Sequence, residues 1–249
     1  MIDHLSPSFW TREHQRDALV IALTVVTGAL DAIGFTRLGG VFTSVMTGNM
    51  VLLGVAAAKG QAALAIHTGV AFFGFIAGSL AGAHLAGHAK EDDAFWPRPI
   101  LRALSVELLV LGVFCVWWEV VSGNPTGGST YAMLAINAVA LGIQSAAVLR
   151  FGISGLSTTY LTGTLTQLIA SLTKRDERIV GRNVIILLAL IGGAALGAVV
   201  AVRVPLAAPA VPIGVLALVV VSAEIIFHRR GAQSVQSQSS ATADDPAIH

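Results

Sequence analysis

Three carboxyl groups stand inside long apolar runs of this chain. Asp31 follows Gly28-Ala29-Leu30, Glu107 lies in Ser105-Val106-Glu107-Leu108, and Glu224 lies in Ser222-Ala223-Glu224-Ile225. A charged side chain at the centre of a bilayer costs roughly 2.5–3.5 kcal/mol on insertion scales, so such a residue pairs, reaches an interface or faces a cavity. In a cavity its chemistry is coupling: burial disfavours the charged form of a carboxyl, which then exchanges a proton or a cation. Asp31 is the first candidate for that work, with Glu107 and Glu224 after it. The structural alternatives have partners to hand. Asp31 has Arg37 six positions on, or Arg150; Arg102 precedes Glu107 by five positions and can snorkel to the interface; Glu224 has His228 and Arg229 close by.

A second set of polar groups is written twice. Residues 39–58 read GGVFTSVMTGNMVLLGVAAA and residues 154–173 read SGLSTTYLTGTLTQLIASLT, so that Thr47-Gly48 answers Thr162-Gly163. Thr43, Ser44, Thr47 and Asn49 in the first copy, and Thr158, Thr159, Thr162, Thr164, Thr166 and Gln167 in the second, supply donors and acceptors at membrane depth. Gly48 and Gly163 allow unusual backbone angles or close helix approach. Small residues at these positions also serve plain helix packing. Asn49 and Gln167 are bulky polar groups that packing does not require, which favours a polar lining. At a broken helix, freed amides meet an anion and freed carbonyls a cation.

The elements that must position these groups are membrane helices. The chain is 55% hydrophobic and 12% charged, with a mean hydropathy of +0.77, whereas soluble domains carry about 25% charged residues. Six runs, at about 18–36, 62–87, 100–121, 131–149, 179–202 and 206–227, suffice to cross about 30 Å of hydrocarbon. The duplication extends beyond the motifs: IAGSLAG at 76–82 matches IGGAALG at 191–197, and, with one gap, Gly28 matches Gly142. Glycines 74, 78 and 82 make a smooth helix face, and 193 and 197 match the last two, as close packing between halves requires.

Basic residues decide how the motif segments enter the membrane, because cytoplasmic loops carry the excess of Lys and Arg. Eight full spans would divide the 15 basic residues 9 inside to 6 outside. Re-entrant motif segments divide them 12 to 3, with only Arg37, Lys59 and Arg203 outside. The second arrangement is favoured. It leaves three spans per repeat, an odd number, so the second copy is inverted. The expected fold is therefore an all-α integral membrane protein of two inverted repeats, each of three transmembrane helices plus one re-entrant or broken Gly/Ser/Thr-rich helical segment. Its parts are a cytoplasmic N-terminal segment (1–17), repeat 1 (18–121), a linker (122–130), repeat 2 (131–230) and a disordered polar tail (231–249), with both termini cytoplasmic.

Residues 28–54, GALDAIGFTRLGGVFTSVMTGNMVLLG, and 140–168, ALGIQSAAVLRFGISGLSTTYLTGTLTQL, resemble the YoaK-like family of bacterial membrane proteins, a domain-of-unknown-function family. The resemblance spans about residues 17–228 and implies a multi-span protein of the bacterial inner membrane. It implies no activity and no site residue.

Other groups are assigned to structure. Cys115 excludes a disulfide and reads as a small buried hydrophobe. His84 and His88 are four apart but lack a third ligand, so no metal site is expected. Trp10, Trp96, Trp117 and Trp118 flank spans, where aromatic residues anchor at the interface. Lys174, Arg175, Arg178 and Arg182 read as topology determinants facing anionic headgroups. A net charge of +1 gives no reason to expect a nucleic-acid partner. The sequence has no GxSxG, HExxH, CxxC, P-loop lysine or dinucleotide fingerprint, so neither a cofactor nor an ATP-driven cycle is expected.

The leading function is a secondary transporter or channel for a small solute, bound at the midplane between the repeats with Asp31 coupling or selecting. The alternatives are a non-transporting scaffold and an intramembrane enzyme using Asp31 and Glu107 as acid and base. The partners expected are the lipid bilayer and the solute, with a homo-oligomer left open.

Overall fold

The computed structural model describes residues 7–88, 96–151, 158–159, 161–174 and 177–229. The expected tail and part of the second motif lie outside these residues, as do the side chains of Trp10, Lys174, His228 and Arg229.

Among the described residues eight α-helices run in order: α1 (Pro7–Arg37), α2 (Met46–Lys59), α3 (Ala62–Ala86), α4 (Arg98–Val120), α5 (Gly128–Leu149), α6 (Leu161–Lys174), α7 (Glu177–Arg203) and α8 (Ala210–Ala223), the last continuing as a π-helical turn over Glu224–Arg229. Six stretches are long and apolar enough to cross a membrane: Arg12–Arg37, Ala62–Ala86, Arg98–Val120, Gly128–Leu149, Glu177–Arg203 and Pro205–Phe227. They fall on the six runs expected from sequence. Helices α2 and α6 have 14 residues each, about 21 Å at 1.5 Å per residue, too short for a hydrocarbon core of about 30 Å.

Glycine decides how the long helices pair. Gly78 and Gly82 of α3 lie against Val139 and Ile143 of α5, while Gly193 and Gly197 of α7 lie against Val25 and Ala29 of α1. A Cβ on Gly82 would come 2.7 Å from Ile143 Cα, and one on Gly197 would come 2.7 Å from Ala29 Cα. The contacts are returned: Gly142 sits on Phe75 and Ser79, and Gly28 on Leu190 and Ala194. In hydrocarbon no hydrophobic effect draws helices together, so close van der Waals approach through small residues does. In both pairs contacts advance together along the two chains, so α3 runs parallel to α5 and α1 parallel to α7.

The ends are fixed by specific contacts. Arg37 Nη2 donates to Gly123 O at 2.7 Å, Trp118 Nε1 donates to Pro205 O at 2.8 Å, and the His67 ring lies tilted against Tyr131 with centroids 4.6 Å apart. These place the end of α1, the α4–α5 turn, the start of α3 and the start of α8 at one end of the bundle. Arg37, Lys59 and Arg203 share that end. Arg178, paired with Glu13 at 2.6 Å, and Arg150, bonded to Ala86 O, lie at the other.

Gly60 ends α2 in the left-handed conformation (φ 64°), and the Gln61 amide closes the turn on Ala56 O at 2.9 Å. Helix α2 thus starts beside Asp31 and ends next to the start of α3.

Several sequence expectations change. Trp96 and Trp118 are fully buried, Trp96 stacking on Phe227 with Phe151 tilted against it. Arg178 and Arg182 pair with Glu13 and Asp17, at 2.6 and 3.9 Å, and so tie α7 to α1 rather than awaiting headgroups. Cys115 is only half-buried. Gly48 and Gly163 have neither a positive φ nor a close neighbour: the nearest atom to a Cβ at Gly48 is 3.4 Å away, and nothing lies within 4 Å of one at Gly163. The tight packing falls on the helix-crossing glycines instead, because there a backbone, not a loop, fills the space.

Candidate functional site

Asp31 organises the first motif. Its Oδ1 accepts from Thr43 N (2.7 Å), Thr43 Oγ1 (3.0 Å) and Ser44 N (2.8 Å), and its Oδ2 accepts from Ser44 Oγ (2.6 Å). Thr43 and Ser44 end the loop that dips back beside α1, and their amides would otherwise be bare in hydrocarbon. Asp31 thus satisfies the loop that launches α2. Neither Arg37 nor Arg150 is its partner: Arg37 binds Gly123 O, and Arg150 binds Ala86 O.

Asn49 completes the loop. It is fully buried, accepts from Phe42 N at 3.1 Å and donates to Phe42 O at 2.6 Å. This accounts for a bulky amide within a motif of small residues. Val45 at the N-cap of α2 makes no side-chain cap, so the first-turn amides of α2 have no side-chain acceptor.

A cavity of about 310 Å³ opens at this point, lined by Asp31, Ser44, Val45, Met46, Thr47, Phe75, Thr159, Leu161, Thr162, Gly163 and Leu190. The starts of α2 and α6 meet there, so Thr47 faces the same space as Thr162-Gly163. Ser145 Oγ lies 2.8 Å from Thr159 Oγ1. Counting back 114 positions from Ser145 gives Asp31, and back 115 from Thr159 gives Ser44, so this contact repeats the Asp31–Ser44 bond without its charge. The gapped match of Gly28 with Gly142 already carries Asp31 onto Ser145. The apolar lining residues Val45, Met46, Phe75, Leu161 and Leu190 carry no such sequence signal.

Of the other candidates, Thr43 serves Asp31, Gly48 is outside the lining, and Thr158 and Thr164 are buried beside it. Thr166 Oγ1 donates to Thr162 O at 3.0 Å. Gln167 accepts from Asn183 Nδ2 at 3.5 Å and lines a second opening between α1 and α7, with Glu13, Asp17, Arg178 and Arg182. Glu107 lies outside the cavity, fully buried, and neither carboxyl oxygen has a hydrogen-bond partner among the described residues. Of the alternatives open to it, pairing with Arg102 is not what is found: Arg102 is exposed while the Glu107 carboxyl is buried without a partner among the described residues. Glu224 is half-buried in the π-helical turn. His84 and His88 line a separate surface pocket with Arg102 and Arg150.

The model of a family described as protein of unknown function (DUF1275) matches residues 19–222. The chain belongs to the DUF1275 family. A DUF1275 relative, the UPF0700 transmembrane protein YoaK of Bacillus subtilis (strain 168), is 34% identical over 160 residues, 64% of this chain and 68% of its own length. No solved structure matches. With six apolar helices and a transmembrane relative, this DUF1275 chain is a multi-pass membrane protein.

Proposed function

We propose that the chain is a secondary transporter or channel for a small solute, and that the cavity between the starts of α2 and α6 is its solute site. One observation carries this: Thr47 and Thr162-Gly163, the same motif 115 positions apart, line a single cavity at membrane depth. Residues that served packing alone would face neighbouring helices, and Gly163 has nothing within 4 Å of a Cβ. The positive ends of two short helices, with the hydroxyls of Ser44, Thr47, Thr159 and Thr162, suit a polar or anionic group of the solute. Asp31 already accepts four hydrogen bonds, about the capacity of a carboxylate, and so shapes the site through its loop.

The repeats are inverted in this reading. Helix α2 leaves the cavity towards the end holding Arg37, α6 leaves towards the end holding Arg178, and the reciprocal glycine contacts relate α1 and α7 to α5 and α3. Positive-inside asymmetry puts the Arg178 end in the cytoplasm of a bacterial inner membrane. In a Cys115→Ala background, Lys59→Cys and Thr126→Cys should be labelled by an impermeant maleimide from one side and Glu177→Cys from the other. All three positions are exposed. Labelling of position 59 together with 177 overturns the re-entrant arrangement, because eight full spans put those two on the same side.

An acid–base enzyme needs Asp31 and Glu107 in one pocket, and Glu107 does not line the Asp31 cavity. The functional test is flux of a panel of small solutes through proteoliposomes. Gly163→Leu should abolish any flux found while leaving thermal stability near that of the parent, since the new side chain enters open space. Undiminished flux through Gly163→Leu rejects the cavity as the pathway.

A further inference from the structure

Three buried polar side chains on α4 and α5 lie outside the lining of the solute cavity. Glu107, Asn137 and Gln144 are each 0% exposed. Among the described residues, Glu107 Oε1 and Oε2, both amide atoms of Asn137 and Gln144 Oε1 have no hydrogen-bond partner. Helices α4 and α5 form an antiparallel hairpin, and Glu107 and Leu141 stand equally far from its turn, 13 residues before Val120 and 13 after Gly128. Asn137 and Gln144 flank Leu141 at one helical turn to either side, on the same face of α5. Leu104 and Leu111, a turn either side of Glu107, belong to one buried cluster with Leu141, Val26 and Leu216. In this register Glu107 of α4 stands level with the stretch of α5 that carries both amides, and all three side chains are buried.

The orientation of Gln144 is fixed. Its Nε2 donates to Leu23 O at 3.1 Å and to Thr27 Oγ1 at 2.8 Å. A carbonyl oxygen accepts only from the nitrogen, so Oε1 is the atom left over. The centre thus presents four unpartnered oxygens: two carboxyl and two amide. The nearest basic residues along these helices do not serve it, since Arg102 is exposed and Arg150 reaches Ala86 O.

We propose that Glu107, Asn137 and Gln144 form a buried site for a sodium-sized monovalent cation. Carboxylate and amide oxygens are the ligands hard cations take. One carboxylate balances one positive charge, whereas a divalent ion would leave net charge buried in the span. The site stands on its own residues, whatever passes through the solute cavity. It is also wired to that cavity: Ser145, which bonds Thr159, follows Gln144 in the chain, and Thr27, which bonds Gln144, lies one turn of α1 before Asp31.

The test is thermal unfolding of the purified full-length protein in NaCl, LiCl or KCl against choline chloride at equal ionic strength. No flux measurement enters it, so its outcome is independent of the transport reading. A cation that binds only the folded state raises the melting temperature saturably. The expected result is such a rise in Na⁺, lost in Glu107→Gln and kept in Glu224→Gln. Equal melting temperatures in all four salts, or a full Na⁺ response in Glu107→Gln, overturn the site. Should Glu107→Gln fail to fold, Asn137→Ala and Gln144→Met decide. Each is expected to move the Na⁺ midpoint about tenfold or more, the scale of losing a supporting group at a metal site. Unmoved midpoints in both overturn the proposal.

Discussion

Gly78→Leu and Gly193→Leu are each expected to leave no folded protein in the membrane, while Gly112→Leu and Gly163→Leu accumulate like the parent. A Cβ at Gly78 would overlap Val139, and one at Gly193 would lie 2.8 Å from Val25 Cα, whereas nothing stands within 4 Å of one at Gly112 or Gly163. The colliding atoms are backbone, which cannot rotate aside, so each helix pair would have to separate. Separation forfeits most of the van der Waals contact that holds α3 to α5 or α1 to α7. Overpacking typically costs about 1–3 kcal/mol, and a clash with backbone that cannot yield places these losses at or beyond the top of that range. The measurement is the amount of monodisperse protein after extraction, with melting temperatures for the variants that survive. Normal accumulation of Gly78→Leu would mean that the α3–α5 crossing is looser than its backbone contacts indicate.

Asp31→Ala is expected to destabilise the protein by about 2–5 kcal/mol, and Asp31→Asn by much less. Alanine strips acceptors from the amides of Thr43 and Ser44 at a site only 6% exposed. Each buried donor left bare costs about 1–3 kcal/mol. Asparagine keeps one oxygen for those two amides, and its Nδ2 can donate to Ser44 Oγ. Thermal unfolding in detergent compares the two variants directly. If Asp31→Asn proved as damaging as Asp31→Ala, the charge itself and not the acceptor geometry would hold the loop. Protease accessibility of 38–45 should rise in the alanine variant alone, because the loop that launches α2 loses its anchor.

The fold was legible in outline. Apolar run length marks a membrane helix because a helix must cover the hydrocarbon by itself, and the six long runs fall on the six helices long and apolar enough to cross. The motif segments were also recognisable as different in kind, since Thr, Ser, Asn and Gly at membrane depth need partners, and 14-residue helices stand there. Local composition carries that information, and no tertiary contact is needed to read it.

What each polar residue does was decided only by folding. The sequence marks Asp31 as a candidate coupling carboxyl, and folding adds that it lines the cavity and accepts from Thr43 and Ser44. Asn49 read as lining and proved to be the cap of its own loop at Phe42. Gly48 and Gly163 read as packing or strained positions, but the close approaches belong to Gly28, Gly78, Gly82, Gly142, Gly193 and Gly197. Glu107 is a coupling candidate in the sequence, with pairing as the alternative, and among the described residues neither of its oxygens is bonded. The physical reason is the same in each case. Sequence shows which groups need a partner in hydrocarbon, because that demand is a property of the residue. Which partner meets it depends on where chains distant in sequence cross: α1 on α7, α3 on α5, and the start of α2 against the start of α6.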